Sequence, residues 1–254
     1  MFAISFFCGV RMALDCRIIL PCIIDDQRLP GKLLRSFGSE TVLARTWKKI
    51  LHQDYLQPSL VATNSQEIAD ECRRIGAPVH LQQGNCSNGA ERVAAASSGM
   101  DPQEIVVMVN PDEVNISPVA IEHAVAAVKH GAIVATAAYR SSYEMAKDPN
   151  VVKVIIDEGR LARYFSRSLI PFPRESGSHF GHNWLAHIGV FAGTVGTFQN
   201  YVGWGACDLE IIEGLEQLRW VYHGIPLFVA TLWAHGRSIK TELDLRTLIQ
   251  GYEQ

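Results

Sequence analysis

Short apolar runs alternate along this chain with stretches whose apolar positions recur every three to four residues. Arg17–Pro21 reads as a first strand. Thr41–His52 reads as a helix, because Val42, Leu43, Trp47, Ile50 and Leu51 form one apolar stripe. Leu60–Ala62 is a second strand. Ser65 then caps a helix over Gln66–Ile75, and Gly76 ends it. Val79–Leu81 is a third strand. Asn88 and Gly89 open a helix that runs through Glu91, Arg92 and an Ala-rich run. Ile105–Val109 is a buried strand ending at Asn110-Pro111-Asp112-Glu113. Val119–His130 is helical and Ala132–Tyr139 is a further strand. Strands alternating with helices predict an α/β fold with a mainly parallel sheet.

Beyond about residue 145 the pattern changes. Val151–Asp157 and Ala162–Phe165 predict a hairpin turning at Glu158-Gly159-Arg160. Residues 171–183 are rich in Pro, Gly and Ser and read as a loop. Ile188–Phe191 is a short strand, Leu209–Val221 one amphipathic helix, Leu227–Leu232 a strand and Glu242–Tyr252 a terminal helix. Thr241 and Asp244 place a near capping box at the start of that helix.

Composition narrows the function classes. The 254 residues suit one domain or one domain with an insertion, and the 48% hydrophobic content is ample for a core. A net charge of −3 argues against a nucleic-acid or membrane-surface binder. No apolar run is long enough to span a bilayer. The six cysteines show no Cys-x-x-Cys and no metal-site spacing, which suits reduced thiols in a cytoplasmic protein. Residues 1–11 read as an extension outside the fold, with Met12 as an alternative start. Residues 12–254 read as the domain, with about 150–205 as an inserted hairpin and loop region.

Ligands of open α/β sheets bind at the carboxyl ends of the strands. Three segments fall there. The loop Cys22–Leu34 carries Arg28, Gly31 and Lys32, two cations and a flexible backbone suited to phosphate, together with the repelling Asp25 and Asp26. The turn Cys86–Arg92 offers a helix N-terminus for an anion or a base edge. Asn110–Val114 offers two adjacent carboxylates, suited to a divalent cation on phosphates.

These segments, read in order, resemble the 3-deoxy-manno-octulosonate (Kdo) cytidylyltransferases, or CMP-Kdo synthetases. The family's P-A-R-x-x-S-x-R-x-P-G-K-P-L corresponds to Pro21–Leu34, and its H-x-S-G-T-E-R to Cys86–Arg92. Its Q-G-D-E-P corresponds to Asn110–Val114, and its N-P-N-x-V-K-V to Asp148–Val154. Its Y-F-S-R-A-x-I-P is similar to Tyr164–Pro171, and its H-x-G-I-Y to His187–Phe191. Leu209-Glu210 and Leu215–Arg219 are similar to its L-E-x-x-E-x-L-E-Q-L-R. The resemblance spans about Arg17 to Leu248. It implies a Rossmann-like nucleotidyltransferase fold, with a mixed, mostly parallel sheet and a smaller hairpin subdomain carrying a homodimer contact. It also implies CMP transfer from CTP to Kdo or a related sugar acid, in lipopolysaccharide precursor synthesis, with Mg²⁺ as cofactor. By position, Pro21, Arg28, Lys32, Asn88, Gly89 and Arg92 would bind the nucleotide. Arg28, Lys32 and Asp112 would be catalytic, and Asp112 would also hold the metal. Arg167, His187, Glu210 and Glu213 would shape the sugar-acid pocket.

The departures gather at the chemistry. The first loop arginine of the family is Ile23 here, Asp26 replaces a small residue, and Pro111 removes a backbone N–H. The family's G-x-D-T-P-E-D-L places its second metal aspartate at Lys240, and an ammonium cannot ligate Mg²⁺. Two readings fit. In one, Lys240 pairs with Asp112 and takes the place of a metal's charge. In the other, the chain is a catalytically impaired paralogue that binds a nucleotide, a sugar acid or another protein.

Overall fold

The computed structural model describes residues 14–24, 29–51, 57–174, 184–236 and 238–251. Expectations that fall on Arg28, Asp25, Asp26, the first eleven residues and most of the loop 171–183 lie outside them.

The chain runs β1 (Arg17–Cys22), a 3₁₀ turn (Lys32–Leu34), β2 (Ser36–Phe37), β3 (Glu40–Thr41), α1 (Val42–Leu51), β4 (Leu60–Thr63), α2 (Gln66–Ile75) and β5 (Val79–Leu81). It continues through α3 (Gly89–Ala96), β6 (Ile105–Val109), α4 (Pro118–Lys129), β7 (Val134–Ser141), α5 (Tyr143–Ala146), β8 (Lys153–Ile156) and β9 (Ala162–Ser166). The last part is β10 (Trp184–Thr194), α6 (Val195–Gly203), α7 (Asp208–Glu213), α8 (Leu218–Tyr222), β11 (Leu227–Leu232) and α9 (Glu242–Gln250).

The main sheet has the order β11-β7-β10-β6-β1-β4-β5, with the β8–β9 hairpin attached to β10. Pairs β1–β4, β1–β6, β4–β5 and β7–β11 are parallel. Strand β10 runs antiparallel between β6 and β7. The sheet is therefore mixed and mostly parallel. After β1 the chain builds outward to β4 and β5, then returns to the other side of β1 as β6. That reversal opens a crevice at the carboxyl ends of β1 and β6.

Residues of each strand alternate between two cores. Ile18, Leu20, Val107 and Val109 pack with Val42, Leu43, Trp47, Ile50, Ile68 and α4. Ile19, Val106 and Met108 pack on the other face with Ala90, Val93, Phe198, Tyr201, Leu218 and Trp220. Local signals set several boundaries. Ser65 Oγ accepts from the Ile68 N–H, and Gly76 closes α2 at φ 71°. Thr241 and Asp244 form a complete capping box on α9. The five described cysteines are free thiols. No described helix is long and apolar enough to cross a membrane.

Two expectations are corrected. Leu209–Val221 is two short helices, because Gly214 adopts the left-handed conformation (φ 59°) and breaks the run. Ile188–Phe191 is only the middle of an eleven-residue strand, β10. Helix α6 follows it directly, with Thr194 capping the Thr197 N–H.

Strand β10 bulges against β7. Ile188 pairs with Ala137 and Phe191 with Thr136, so Gly189 and Val190 stand outside the ladder. Gly189 accepts from the Asn110 N–H (2.8 Å) and donates to Glu113 Oε1 (3.0 Å). A Cβ at Gly189 would lie 2.5 Å from Asn110 Nδ2. Gly189→Ala is expected to lower unfolding stability by about 1–3 kcal/mol through this overlap. Gly203→Ala, with no atom within 4 Å of the new carbon, is expected to stay within about 0.5 kcal/mol of wild type. Urea unfolding of both variants measures this, and equal midpoints would refute the role given to the bulge.

Candidate functional site

The crevice is a cavity of about 520 Å³. Its lining brings together Pro21 from β1, Lys32, Asn88, Gly89 and Arg92 around the start of α3, and Asp112 after β6. Across it lie Arg167, His187, Glu210, Glu216, Gln217 and Lys240. Of the described residues that the resemblance assigns to the site, Glu213 alone is not part of the lining.

At the floor, Lys32 Nζ lies 2.8 Å from Asp112 Oδ2, and both side chains are buried. This ion pair joins the loop after β1 to the loop after β6. Cys22, buried at the end of β1, feels the charges of Arg92, Asp112 and Lys32, which places all three around that strand end. Burial holds its thiol well above the ordinary range. Asp112 thus pairs with Lys32 and, among the described residues, not with Lys240. Lys240 is next to it all the same, because the preceding Ile239 N–H donates to the Asp112 carbonyl (3.0 Å).

Arg92 is only 2% exposed. Its Nη1 makes a long bond to Asn64 Oδ1 (3.4 Å) and its Nε has no partner. Among the described residues no carboxylate pairs with it. A buried guanidinium without a counter-ion, on a cavity wall, is arranged for an anion that comes from outside.

Two sequence expectations change here. The carboxylates of Asp112 and Glu113 do not act together. Glu113 turns away, accepting from the Gly189 N–H and lying 3.0 Å from His235 Nε2. The α3 N-terminus is not open to an anion either. Asn88 Oδ1 caps the Glu91 N–H, and Glu216 Oε2 accepts from the Ala90 N–H (2.8 Å). The helix holds a carboxyl group of its own chain.

A buried polar network supports that wall. Arg219 grips Glu210 through two bonds (2.7 and 2.9 Å) and reaches Glu91 (3.0 Å). Asn88 Nδ2 donates to Glu210 Oε1 and the Tyr201 hydroxyl. Glu210 thus reaches the cavity as part of an ion pair. Burial pushes the Tyr201 phenol up, with Glu216 and Glu210 adding to it. Burial also raises Glu216 to about 7, against the weaker opposing pull of the Ala90 N–H.

On the other wall, His187 Nε2 is 2.8 Å from Thr136 Oγ1, whose own hydrogen goes to the Val190 carbonyl (2.6 Å). The imidazole therefore donates from Nε2, leaving Nδ1 as its acceptor. Burial brings the His187 pKa down to about 3, helped by Lys240 and His235, so the ring is neutral. Arg167 donates to the backbone carbonyls of Glu213, Gly214 and Pro149. Glu213 accepts from Ser166 Oγ and the Arg167 N–H, so it positions Arg167 from behind. Lys153 is buried on three carbonyls, with its pKa lowered to about 8 by burial. The sequence does not single out Glu216, Arg219, Tyr201 or His235 as site residues; the Leu215–Arg219 motif points toward Glu216 and Arg219.

The family model for cytidylyltransferases matches residues 18–230. This chain belongs to the cytidylyltransferase family. It is 35% identical over 232 residues to a 3-deoxy-manno-octulosonate cytidylyltransferase of Gemmatimonas aurantiaca, covering 89% of this chain and 90% of that one. A Neisseria meningitidis protein of the same name is 33% identical, with 90% and 94% covered. A CMP:2-keto-3-deoxy-manno-octonic acid synthetase solved with CTP matches with a TM-score of 0.83 at 25% identity, covering 94% of this chain and 99% of that one. A 4-diphosphocytidyl-2C-methyl-D-erythritol synthase from Anaerococcus prevotii shares the fold, with a TM-score of 0.59 at 13% identity and coverages of 94% and 96%.

The Mg²⁺ that the family resemblance implies finds a poor donor set in this cytidylyltransferase. Asp112 Oδ2 is bonded to Lys32, Glu113 faces away, and the remaining candidate position is Lys240. Among the described residues no group of three or more His, Cys, Asp or Glu could hold a metal ion. A two-carboxylate ion site does not fit these residues.

The raised Glu216 pKa has a stability consequence. The folded state favours its protonated form, so its contribution is complete below the ordinary value of 4.5 and is lost as pH rises through about 7. Glu216→Gln keeps an acceptor for Ala90 and removes the charge. Between about pH 5 and about pH 8 its thermal midpoint is expected to fall less than that of wild type. Parallel pH profiles from scanning calorimetry would overturn this.

Proposed function

We propose that this chain transfers CMP from CTP to Kdo or a related sugar acid, releasing pyrophosphate. The observation that carries the reading is Arg92, a buried guanidinium without a counter-ion on the wall of the crevice, in a cytidylyltransferase whose relatives bear the Kdo name. In the reaction the sugar acid's anomeric hydroxyl oxygen bonds to the α-phosphorus. The bond from that phosphorus to the bridging oxygen breaks, and the hydroxyl proton is released. Such transfer depends on alignment and on neutralising charge that builds on the leaving oxygens. Arg92 supplies a planar fork for phosphate oxygens. The Lys32–Asp112 pair fixes the floor beneath them. The neutral His187 offers an acceptor for a sugar hydroxyl, and Arg167 a cation for the sugar acid's carboxylate.

The product serves lipopolysaccharide precursor synthesis in the cytoplasm. We also assign a homodimer contact to about residues 150–205, where Phe172 is 77% exposed.

The test is pyrophosphate release from CTP and Kdo in buffer containing Mg²⁺, with the CMP-sugar identified by mass. Arg92→Gln is expected to lower kcat/KM about 10- to 100-fold, the range for losing a hydrogen bond to a charged group. It should leave thermal stability nearly unchanged, because it strands no carboxylate. Arg219→Gln strands Glu210 and is expected to destabilise the fold by about 3–5 kcal/mol. No turnover above a heat-killed control with several sugar acids would overturn the proposal.

A further inference from the structure

The positive charges on the cavity wall do not balance as a two-metal or two-carboxylate site would. Lys32 and Asp112 cancel one another at 2.8 Å. Lys240 lines the same cavity, on the residue that follows the Ile239–Asp112 backbone bond. Its main chain is fixed as well, since its N–H donates to Asp244 Oδ2 (3.1 Å) at the cap of α9. Among the described residues no carboxylate pairs with its ammonium. Its charge is nonetheless felt inside the protein, at His187. This is a positioned cation, on a main chain held at two points, pointing its charge into a crevice at the switch point of the sheet.

We infer that Lys240 binds a phosphate oxygen of the nucleotide and supplies there the positive charge that a divalent cation would otherwise bring, so that CTP binding does not require a metal. This rests on the reading of the crevice as a CTP site. Three features favour phosphate as the occupant. The carboxyl ends of β1 and β6 beside the sheet reversal are where nucleotide phosphates dock in such folds. Asp112, whose carbonyl accepts from the residue before Lys240, already has a cation in Lys32. Arg92, the other unpaired cation on that side, converges on the same end of β1. A mobile ammonium and a planar guanidinium together can follow a triphosphate without an ion between two carboxylates.

The test is calorimetric titration of the full chain with CTP, in EDTA and in Mg²⁺. Wild type is expected to bind in EDTA with an affinity within about threefold of that in Mg²⁺. Lys240→Gln is expected to weaken binding in EDTA by about tenfold or more, as expected for loss of a charge-assisted hydrogen bond. Lys240→Asp is expected to bind only when Mg²⁺ is present. The side chain is partly exposed, and circular dichroism of each variant checks that the fold is kept. Binding by wild type only with Mg²⁺, or affinity in EDTA untouched by Lys240→Gln, overturns the role of Lys240 and leaves the CTP site standing. Absence of CTP binding in both buffers overturns the site and this inference together.

Discussion

The Lys32–Asp112 ion pair is the constraint around which the crevice is built. Two charges removed from water must stay within bonding distance, because losing either partner leaves the other buried and uncompensated, at about 3–5 kcal/mol. The pair therefore clamps the loop after β1 against the loop after β6, and the separation of those loops sets the width of the cavity floor. The same closeness makes the pair electrically neutral seen from a ligand. Neutralising a triphosphate then falls to cations that have no carboxylate partner within the chain. Arg92 and Lys240 meet that description among the described residues.

The opposite wall solves a different problem. Helices α7 and α8 are too short to stand alone, and Gly214 interrupts them. Their anchorage is the network in which Arg219 joins Glu210 and Glu91 while Asn88 and Tyr201 fill the remaining positions. That network ties α7 and α8 to the first turn of α3. The Glu216 carboxyl, packed on the Gly89 and Ala90 amides, belongs to the same junction.

Much of this was legible from sequence wherever the determining signal is local. Helix α2 has the limits set by Ser65 and Gly76, and the β8–β9 hairpin turns where Glu158-Gly159-Arg160 said it should. The motif order also gathered Lys32, Asn88, Arg92, Asp112, Arg167 and His187 into one cavity. What escaped depends on distant partners or on ambiguous local cues. Lys32 and Asp112 are 80 positions apart, so their bond is a product of sheet order. The side-chain direction of Glu113 is decided by the bulge at Gly189, on another strand. Helix α6 was missed because Val195, Gly196, Thr197 and Gly203 are weak helix formers, held by packing of Phe198 and Tyr201 on the sheet. Strand β10 was cut short because His187 interrupts its apolar run, though the ring is anchored on Thr136.

The position of β10 carries a consequence for how the chain is made. Its eleven residues are the seam between β6 and β7, which were formed from sequence far upstream. As the polypeptide emerges from the ribosome, the unit β1-β4-β5-β6 is complete early but ends in an open edge at β6. Strand β7 waits without a neighbour on either side, since β11 follows β10 in the chain. An open edge of this kind invites pairing with other chains. Until β10 has emerged, the nascent protein carries its future crevice as an unfinished margin.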